Sequence, residues 1–331
     1  MNYLLSPSRY EEFVFTVKTD NAGTSNSTSF TLPLRSTGTY DYSIDWGDGV
    51  IENYTGTTSR THDYGIAGTY QITIKGAFFQ HVVFYNGGDK SKVVSIVRCS
   101  LSSGTLGVSY YGCNNLVSIE SFYSGGVTNF RNTWQECTGL ASFPLLDTSN
   151  GTDFSYTWFN CTALTSFPLI NTGKGTSFEY TWSNCSNLTS FPLLDTSNGT
   201  NFFYSWGLCS KLTSFPLINV NKGTTFLFAW FNCTLLTTFP AGMFDSWTAT
   251  PANDCFFNAW QGCTALTATS VENILVSIDT SGKSAPGTTV RNKQITISYN
   301  VATGGLTAAT TTAIANLKGK NWNIVINGVT Q

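Results

Sequence analysis

A 24-residue repeat between about residues 110 and 267 constrains the fold of this chain more than any other feature. Each copy carries a Trp, a Cys three residues later, a Leu three residues after that and, in the first five copies, Phe-Pro. The tryptophans are Trp134, Trp158, Trp182, Trp206, Trp230 and Trp260, and the cysteines are Cys137, Cys161, Cys185, Cys209, Cys233 and Cys263. One coil cannot bury its own apolar face, so such a period predicts a solenoid of stacked coils.

The order of residues within one copy predicts the path of a coil. Residues 147–152 are typical of a turn. The spacing of three between Trp158, Cys161 and Leu164 favours a helical or 3₁₀ segment with one buried face. Residues 164–167 favour a short parallel strand that ends at Pro168, because proline cannot donate to a strand ladder. The coil is therefore expected to contain a turn, a helical segment and a short strand, as in leucine-rich repeats.

A second period of 48 residues lies beneath the first. Residues 147–151 recur almost unchanged at 195–199, whereas the intervening copies carry different residues at 171–175 and 219–223. This pattern indicates growth by duplication of a pair of coils. Such growth suits an extended recognition or scaffolding surface better than a catalytic site.

The repeat resembles the BspA-like bacterial surface repeat in its phrase Asp-Thr-Ser-Asn-x-Thr, its Cys-x-x-Leu-Thr-Ser-Phe and its register over about half of the chain. It departs from that family by placing Trp where Phe is usual and Pro after the strand Phe. The resemblance implies a surface protein that binds partners. Similar arrays behind a module of the kind described next also occur in phage proteins.

The region before the repeat alternates apolar and polar residues between turn signals. Strands are predicted at 13–17, 29–32, 40–46 and 68–74, which favours a small β-sandwich. The segments 45–49 (Asp-Trp-Gly-Asp-Gly), 62–64 (His-Asp-Tyr) and 67–74 resemble the PKD domain. That resemblance implies an immunoglobulin-like sandwich that serves as a spacer or binding module, with no reaction.

The predicted fold is mainly β and has five parts. They are an N-terminal arm at 1–12, a PKD-like sandwich at 13–80, a bridging segment and cap at 81–108, the solenoid at 109–270 and a C-terminal α/β cap at 271–331. In the bridge, 82–85 and 93–97 favour strands. In the C-terminal cap, helices are predicted at 271–278 and 307–317, and strands at 294–299 and 323–326.

Composition excludes several classes of function. Charged residues make up only 11% of the chain and the formal net charge is −2, so a nucleic-acid partner is not expected. No apolar run is long enough for a membrane-spanning helix, so membrane insertion is not expected. The N-terminal residues lack the pattern of a secretory signal. Together with a composition typical of surface proteins, this favours a virion surface reached from the host cytoplasm by lysis, with an extracellular or cell-surface location as the alternative.

The nine cysteines are an odd number, and no two form a Cys-x-x-Cys pair. Free buried thiols are favoured over disulfides between coils, although strand-like spacing does not exclude such bridges. No zinc site, other metal site or cofactor is predicted. The Trp column would suit sugars if it faced outwards, but its strict spacing beside Cys and Leu favours the core.

Two pairs of carboxylates could suggest chemistry. Asp45 and Asp48 could form a carboxylate pair or a Ca²⁺ site, but hydrogen bonds within their own turn are favoured. Asp147 and Asp195 share a position two coils apart, roughly 10 Å by strand spacing, within reach of the spacing of glycosidase acids. Their place on turns favours a structural role, and no catalytic residue is predicted.

The candidate binding face is a column of hydroxyls at one position of the coil. Its members are Thr165, Thr189, Thr213 and Thr237. A regular hydroxyl column suits glycans or a flat protein partner, but an equally good reading is a solvated surface that merely favours extended chain.

Three functions are therefore weighed. The first is a non-enzymatic virion surface protein of a phage, either a capsid decoration or a tail-fibre or receptor-binding component. It would bind other virion proteins through the N-terminal arm and PKD-like module, and a host glycan or protein through the array. The second is a bacterial cell-surface adhesin, and the third, less favoured, is a glycan-degrading enzyme.

Overall fold

The computed structural model describes residues 12–34, 41–76, 82–85, 87–100 and 109–331. These residues are mainly β, with twelve strands and two α-helices. The prediction of a mainly β chain is confirmed. The predicted N-terminal arm, for which a docking role is predicted above, lies outside the described residues except for Glu12.

Six strands form the region before the repeat. They are β1 Glu12–Lys18, β2 Ser29–Leu32, β3 Asp41–Asp45, β4 Ile51–Thr55, β5 Arg60–Asp63 and β6 Thr69–Gly76. Strand β1 pairs antiparallel with β6, which pairs with β3, which pairs with β4, while β2 and β5 form a separate antiparallel pair. Phe15 of the larger sheet packs on Phe30 of the smaller one, with ring centroids 5.8 Å apart. Sequence reasoning missed β4 and β5, whose residues are all exposed or half-buried.

One strand joins this region to the repeat. Strand β7, Val93–Ser100, pairs antiparallel with β1 on one side. On its other side it pairs parallel with β8, Ser118–Ile119, and β9, Phe122–Tyr123. The larger sheet therefore continues into the first coil. The strand predicted at 82–85 is wrong, because those residues make only isolated bridges, from Val82 to Leu34 and from Val83 to Ser109.

Two buried charges at a short 3₁₀ helix, Lys90–Lys92, fasten the loop between β1 and β2. The Asp89 carboxylate accepts the backbone amides of Thr24 and Ser25 at 2.7 and 2.9 Å. It also accepts the amide of Thr31 at 2.6 Å and the Ser25 hydroxyl at 2.6 Å. Burial raises the pKa of Asp89, but the hydrogen bonds from Ser25 and Thr31 outweigh it, and the pKa lies below its usual value.

The Lys92 ammonium binds the same loop from the other side. It donates to the carbonyls of Asn26 and Ser29 at 2.6 and 2.8 Å and to the Ser25 hydroxyl at 2.8 Å. The Ser25 hydroxyl thus bridges the two buried charges, and we call Ser25, Asp89 and Lys92 the junction clamp. A Cβ at Gly23 would lie 2.4 Å from the clamp carboxylate, so the loop needs glycine there.

The repeat array, residues 109–267, contains none of the predicted helical segments. The strand predicted at 164–167 is also absent there, and among its equivalents only β8, at 118–119, is a strand. Each coil is a run of turns. The amides of Phe154, Tyr156, Trp158 and Asn160 donate to carbonyls of the next coil at 2.8–3.0 Å. Between them, the amides of Thr157 and Phe159 donate to the carbonyl three residues back, and the amide of Ser155 donates to Oδ1 of Asp153.

This alternation explains why the helical prediction is wrong. An α-helix needs consecutive amides to bond four residues back along the same segment. Here every second amide is committed to the neighbouring coil instead. Tyr156 and Asn160 also adopt left-handed backbone angles, with φ of 58° and 62°, which a right-handed helix cannot contain. A spacing of three is shared by 3₁₀ helices and by successive tight turns, so sequence spacing could not separate them.

The expected strand is wrong for a related reason. At this position successive coils are joined by a single ladder bond, for example from the Thr189 amide to the Thr165 carbonyl at 3.3 Å. The last pair of regular coils adds a second, from the Phe215 amide to the Thr238 carbonyl at 3.2 Å. Pro192, three residues further on, has no amide with which to extend it. Among the described coils this side carries one isolated bridge, between Ser214 and Thr238.

The C-terminal region caps the array. Its elements are α1 Ala268–Thr280, β10 Gln294–Ile297, α2 Ala308–Gly319, β11 Asn323–Ile326 and β12 Val329–Thr330. Helix α1 starts before the predicted boundary at 271, because the Thr267 hydroxyl caps it by accepting the Ser270 amide. Strand β10 continues the coil ladder, since the Trp260 amide donates to the Thr296 carbonyl at 3.1 Å.

We expect Asp89→Asn to destabilise the protein by roughly 3–5 kcal/mol at neutral pH, because it leaves the buried Lys92 charge uncompensated. A carboxylate with a depressed folded-state pKa stabilises the fold above its unfolded value of about 3.9, and this contribution disappears as the pH falls through the folded value. The stability difference between wild type and Asp89→Asn should therefore shrink below about pH 4. Urea unfolding at pH 7 and pH 3 measures it.

Asp20→Asn is the matched control, because Asp20 lies in an exposed ion pair with Lys18. It should change stability by less than about 1 kcal/mol. An Asp89→Asn effect no larger than this control would show that the junction clamp does not hold the loop.

Candidate functional site

The repeat tryptophans form a stacked column inside the array. All six indoles are fully buried. Trp158 and Trp182 stack with centroids 5.8 Å apart and planes 7° from parallel. Each indole also meets phenylalanines edge to face, as Trp158 does with Phe143 at 5.1 Å and Phe167 at 4.8 Å. A fully buried column presents no ring to a sugar.

The indole nitrogens of this column have no hydrogen-bond partner. Their surroundings are stacked rings, which offer no conventional acceptor. Offset stacking and edge-to-face contacts contribute about 0.5–1.5 kcal/mol per pair beyond area burial. Close packing and ring stacking between coils therefore hold the column together. This packing offsets the free-energy cost of burying indole N–H groups that have no acceptor.

The repeat cysteines complete the hydrogen bonding of the tryptophan backbone. The Cys161 thiol donates to the Trp134 carbonyl of the preceding coil, with sulfur and oxygen 3.2 Å apart. The same bond links each of Cys137, Cys185, Cys209, Cys233 and Cys263 to the preceding Trp or Tyr. Burial raises the pKa of Cys161 well above its ordinary value. A protonated, buried thiol is neither a nucleophile nor a metal ligand.

The predicted threonine face lies on the exposed surface. Its members are Thr165, Thr189, Thr213 and Thr237. Each hydroxyl donates to a carbonyl of the preceding coil, as Thr237 does to Thr213 at 2.9 Å. The hydroxyl proton is therefore used within the array, and the face can offer a ligand only lone pairs.

A second hydroxyl column, which sequence reasoning missed, does the same at another corner. Its members are Thr152, Thr176, Thr200 and Thr224, and the Thr176 hydroxyl donates to the Thr152 carbonyl at 3.1 Å. Because two separate columns share one hydrogen-bonding pattern, we infer that threonine hydroxyls at these positions serve to link successive coils. The period of the threonines alone is thus no sign of a glycan site.

A half-buried aromatic column runs along the side that carries the turns. Tyr156, Tyr180 and Tyr204 stack at 4.8 and 4.9 Å, and Phe228 follows at 5.4 Å. Their left-handed backbone, with φ between 53° and 58°, places one such ring in each coil. Because each ring covers the face of the next, the column exposes ring edges and no broad stacking platform for a sugar.

The candidate carboxylates in the array hold their own turns. Asp147 accepts the Ser149 amide at 3.0 Å, and Asp195 accepts the Ser197 amide at 3.0 Å. Between them, Asn171 accepts the Gly173 amide at 3.1 Å in the same way. An amide serves this position as well as a carboxylate does, so the position requires an acceptor and no acid. Both carboxylates therefore have a structural role in their own turns.

The carboxylates of the turn at residues 45–49 are also engaged locally. Asp45 accepts the Gly47 amide at 3.0 Å. Asp48 lies 2.7 Å from Nε2 of His62, whose ring stacks on Trp46 at 4.8 Å. Burial raises the pKa of Asp48, but the hydrogen bonds from His62 and from the Val50 amide, together with the electrostatic effect of His62, outweigh it and the pKa lies below its usual value. In the described part of the chain, no group of three His, Cys, Asp or Glu side chains could hold a metal ion.

The junction clamp is the only Ser–Lys contact in the described ranges that suggests hydrolase chemistry, with Ser25 Oγ 2.8 Å from Lys92 Nζ. A lysine that acts as a base must be neutral and offer its lone pair. Lys92 instead donates to main-chain carbonyls of Ser25, Asn26 and Ser29. Burial lowers the pKa of Lys92, and the Asp89 carboxylate opposes that shift. Because the Lys92 nitrogen acts as a donor to these carbonyls, the cluster is a structural clamp.

A leucine column that sequence reasoning missed is the most exposed apolar feature of the array. We call Leu145, Leu169, Leu193 and Leu217 the leucine stripe; they are 74%, 63%, 62% and 53% exposed. Each follows the coil proline and precedes a buried Leu or Ile. A Leu-Leu or Leu-Ile pair after Pro could have shown that one of the two must face outwards.

Comparisons with protein-family models, curated proteins and solved structures find no match to this chain. Among the described residues, no helix combines the length and apolarity needed to cross a membrane.

We expect all nine thiols to be free and unreactive in the folded protein, because each is buried. Iodoacetamide under native conditions should add no label, and the same treatment in guanidinium without reductant should add nine. Intact-mass spectrometry counts the labels. Fewer than nine in the unfolded, unreduced chain would reveal a disulfide.

We expect Trp182→Ala to destabilise the array by about 3–5 kcal/mol, because it removes a fully buried ring from the stack. Trp182→Phe should cost less, because it keeps an aromatic ring there. Tyr180→Ala, in the half-buried column, is the matched control. Urea unfolding measures all three, and equal losses for the two alanine variants would contradict a stabilising Trp column.

Proposed function

We propose that this protein is a non-enzymatic virion surface protein of a phage, either a capsid decoration or a tail-fibre or receptor-binding component. The observation that carries the proposal is that the side chains capable of chemistry are used to hold the fold. The repeat thiols bond to carbonyls, Asp147 and Asp195 close turns, and the junction clamp binds a loop. What the array offers outwards is a regular surface, as binding and scaffolding require.

The finer fold belongs to the same proposal. The region before the repeat is an immunoglobulin-like, PKD-like sandwich, supported by the Trp46–His62 stack and by the paired sheets. The array is a BspA-like relative of leucine-rich-repeat solenoids, supported by coil-to-coil bonds at a 24-residue step. Both likenesses imply spacing, adhesion or assembly.

The proposal assigns partners to the two ends of the chain. Other virion proteins would bind the N-terminal arm and the PKD-like sandwich. The array would present its exposed columns to a host-surface protein or glycan. No nucleic-acid partner is proposed for a chain with a net charge of −2 and no basic cluster.

A bacterial cell-surface adhesin is the alternative, because the BspA-like repeat is typical of such proteins. A glycan-degrading enzyme is a weaker alternative, since Asp147 and Asp195 each serve a turn that Asn171 closes equally well.

Quantitative mass spectrometry of purified phage particles tests the proposal by comparing the copy number of this chain with that of the major capsid protein. Tens to hundreds of copies support a capsid decoration, and a handful support a tail component. Absence from washed particles contradicts the virion role and favours the adhesin.

A further inference from the structure

The leucine stripe has the anatomy of a protein interface. In a typical coil, Leu169 lies between an exposed Thr165-Ser166 pair and the exposed Asn171. The apolar column is thus bordered by hydroxyls on one side and by Asp or Asn on the other. Interfaces commonly combine an apolar centre that lacks charge with a polar rim.

The size of the stripe is that of a functional patch. Four leucines exposed by more than half form one contiguous column, because successive coils are hydrogen-bonded to each other. Apolar patches of a few hundred Å² on monomers are often functional. A stable interface uses about 800 Å² per partner, which is more than four leucine side chains can expose. The occupant must therefore match the borders as well as the leucines.

Charges beside the stripe alternate from coil to coil. The four coils of the stripe are numbered here by their leucines, from Leu145 to Leu217. Asp147 belongs to the first of them, Lys174 to the second, Asp195 to the third and Lys222 to the fourth, and all four are exposed. Within the described residues none of them has an ion-pair partner in its own chain. Lys174 and Lys222 each donate to a neutral Asn side chain of the preceding coil, Asn150 and Asn198, at 2.7 Å. The pattern of charge along the stripe is therefore negative, positive, negative, positive, and no charge is neutralised by an ion pair within the described part of the chain.

This pattern is complementary to itself under a two-fold rotation. An axis between Leu169 and Leu193 places the first coil opposite the fourth coil of a second copy, and the second coil opposite the third. Each acidic coil then faces a basic one. A parallel two-fold arrangement would instead place each charged border opposite the partner's hydroxyl border and would pair no opposite charges.

We propose that the leucine stripe is the interface of an antiparallel homodimer, in which the stripes of two copies of this chain pack about a two-fold axis. Such an interface is closed, because the same patch is used on both copies. It buries the exposed leucines and pairs Asp147 with the partner's Lys222 and Lys174 with the partner's Asp195.

Sedimentation analysis of the full chain tests the apolar part. The wild type should dimerise, and Leu193→Glu should weaken dimerisation by at least tenfold. Leu235→Glu is the matched control, because Leu235 is 50% exposed at a different coil position, and it should leave the dimer unchanged. Thermal unfolding confirms that each variant is folded. A wild type that stays monomeric, or equal weakening by both variants, would overturn the proposal.

Charge substitutions test the antiparallel pairing. Lys174→Glu should weaken the dimer, because it places an acid opposite the partner's Asp195. Adding Asp195→Asn should restore much of the loss, and Asn171 already shows that an amide closes this turn. If Asp195→Asn gave no recovery in the Lys174→Glu background, the proposed pairing of coils would be wrong.

Cross-linking settles the direction. A mixture of Leu145→Cys and Leu217→Cys chains should form a disulfide-linked dimer on oxidation, because the first coil faces the partner's fourth. Each variant alone should not cross-link, since its two new thiols lie at opposite ends of the stripe. Cross-linking of Leu145→Cys with itself would indicate a parallel pairing and overturn the proposal. These outcomes do not depend on whether the chain belongs to a virion.

Discussion

The hydrogen bonds between coils are the constraint on which the array depends. In each coil, alternate amides such as those of Tyr156 and Trp158 donate to carbonyls of the next coil. The carbonyls of the residues between them, such as Thr157, accept amides of the preceding coil. The array therefore has a direction, and its two ends have opposite needs. At the C-terminal end, β10 supplies the Thr296 carbonyl that the Trp260 amide requires. At the N-terminal end, the Ser109 carbonyl accepts the Phe84 amide, and β7 pairs with the first coil.

Side chains complete what the backbone leaves open. The carbonyls of Trp134, Trp158, Trp182, Trp206 and Trp230 each accept two hydrogen bonds. One comes from the amide of the Cys three residues on in the same coil, and the other comes from the thiol of the Cys in the next coil, as Trp134 accepts from Cys137 and Cys161. Cysteine suits this position because it is small, apolar and a weak donor. Threonine hydroxyls do the same for carbonyls near the surface. The most regular columns in the sequence are thus explained by packing and hydrogen bonding, which removes them as evidence for a ligand.

The sequence predicted those features that a fixed period determines, and it failed where two geometries share a period or where contacts are distant. The stacking of coils and both cap helices follow from apolar spacing and from caps such as Thr267. The helical segment was wrong because successive turns also repeat every three residues. The junction clamp was missed because Asp89 meets Ser25 across 64 residues. The leucine stripe was missed because an apolar residue in a repeat suggests the core, and only the backbone shows which of Leu169 and Ile170 faces out.

The 48-residue period acquires a physical meaning once the coils are stacked. Identical coils would place a carboxylate above a carboxylate at about 4.8 Å, with a repulsion of roughly 1 kcal/mol even in water. Alternating Asp147 with Asn171 doubles that distance while the turn keeps its acceptor. The same alternation sets Lys174 beside Asn150, which accepts its ammonium at 2.7 Å. The backbone and the core therefore repeat with every coil, whereas the pattern of surface charge repeats with every pair of coils. A partner that binds this surface contacts the charge pattern of a pair.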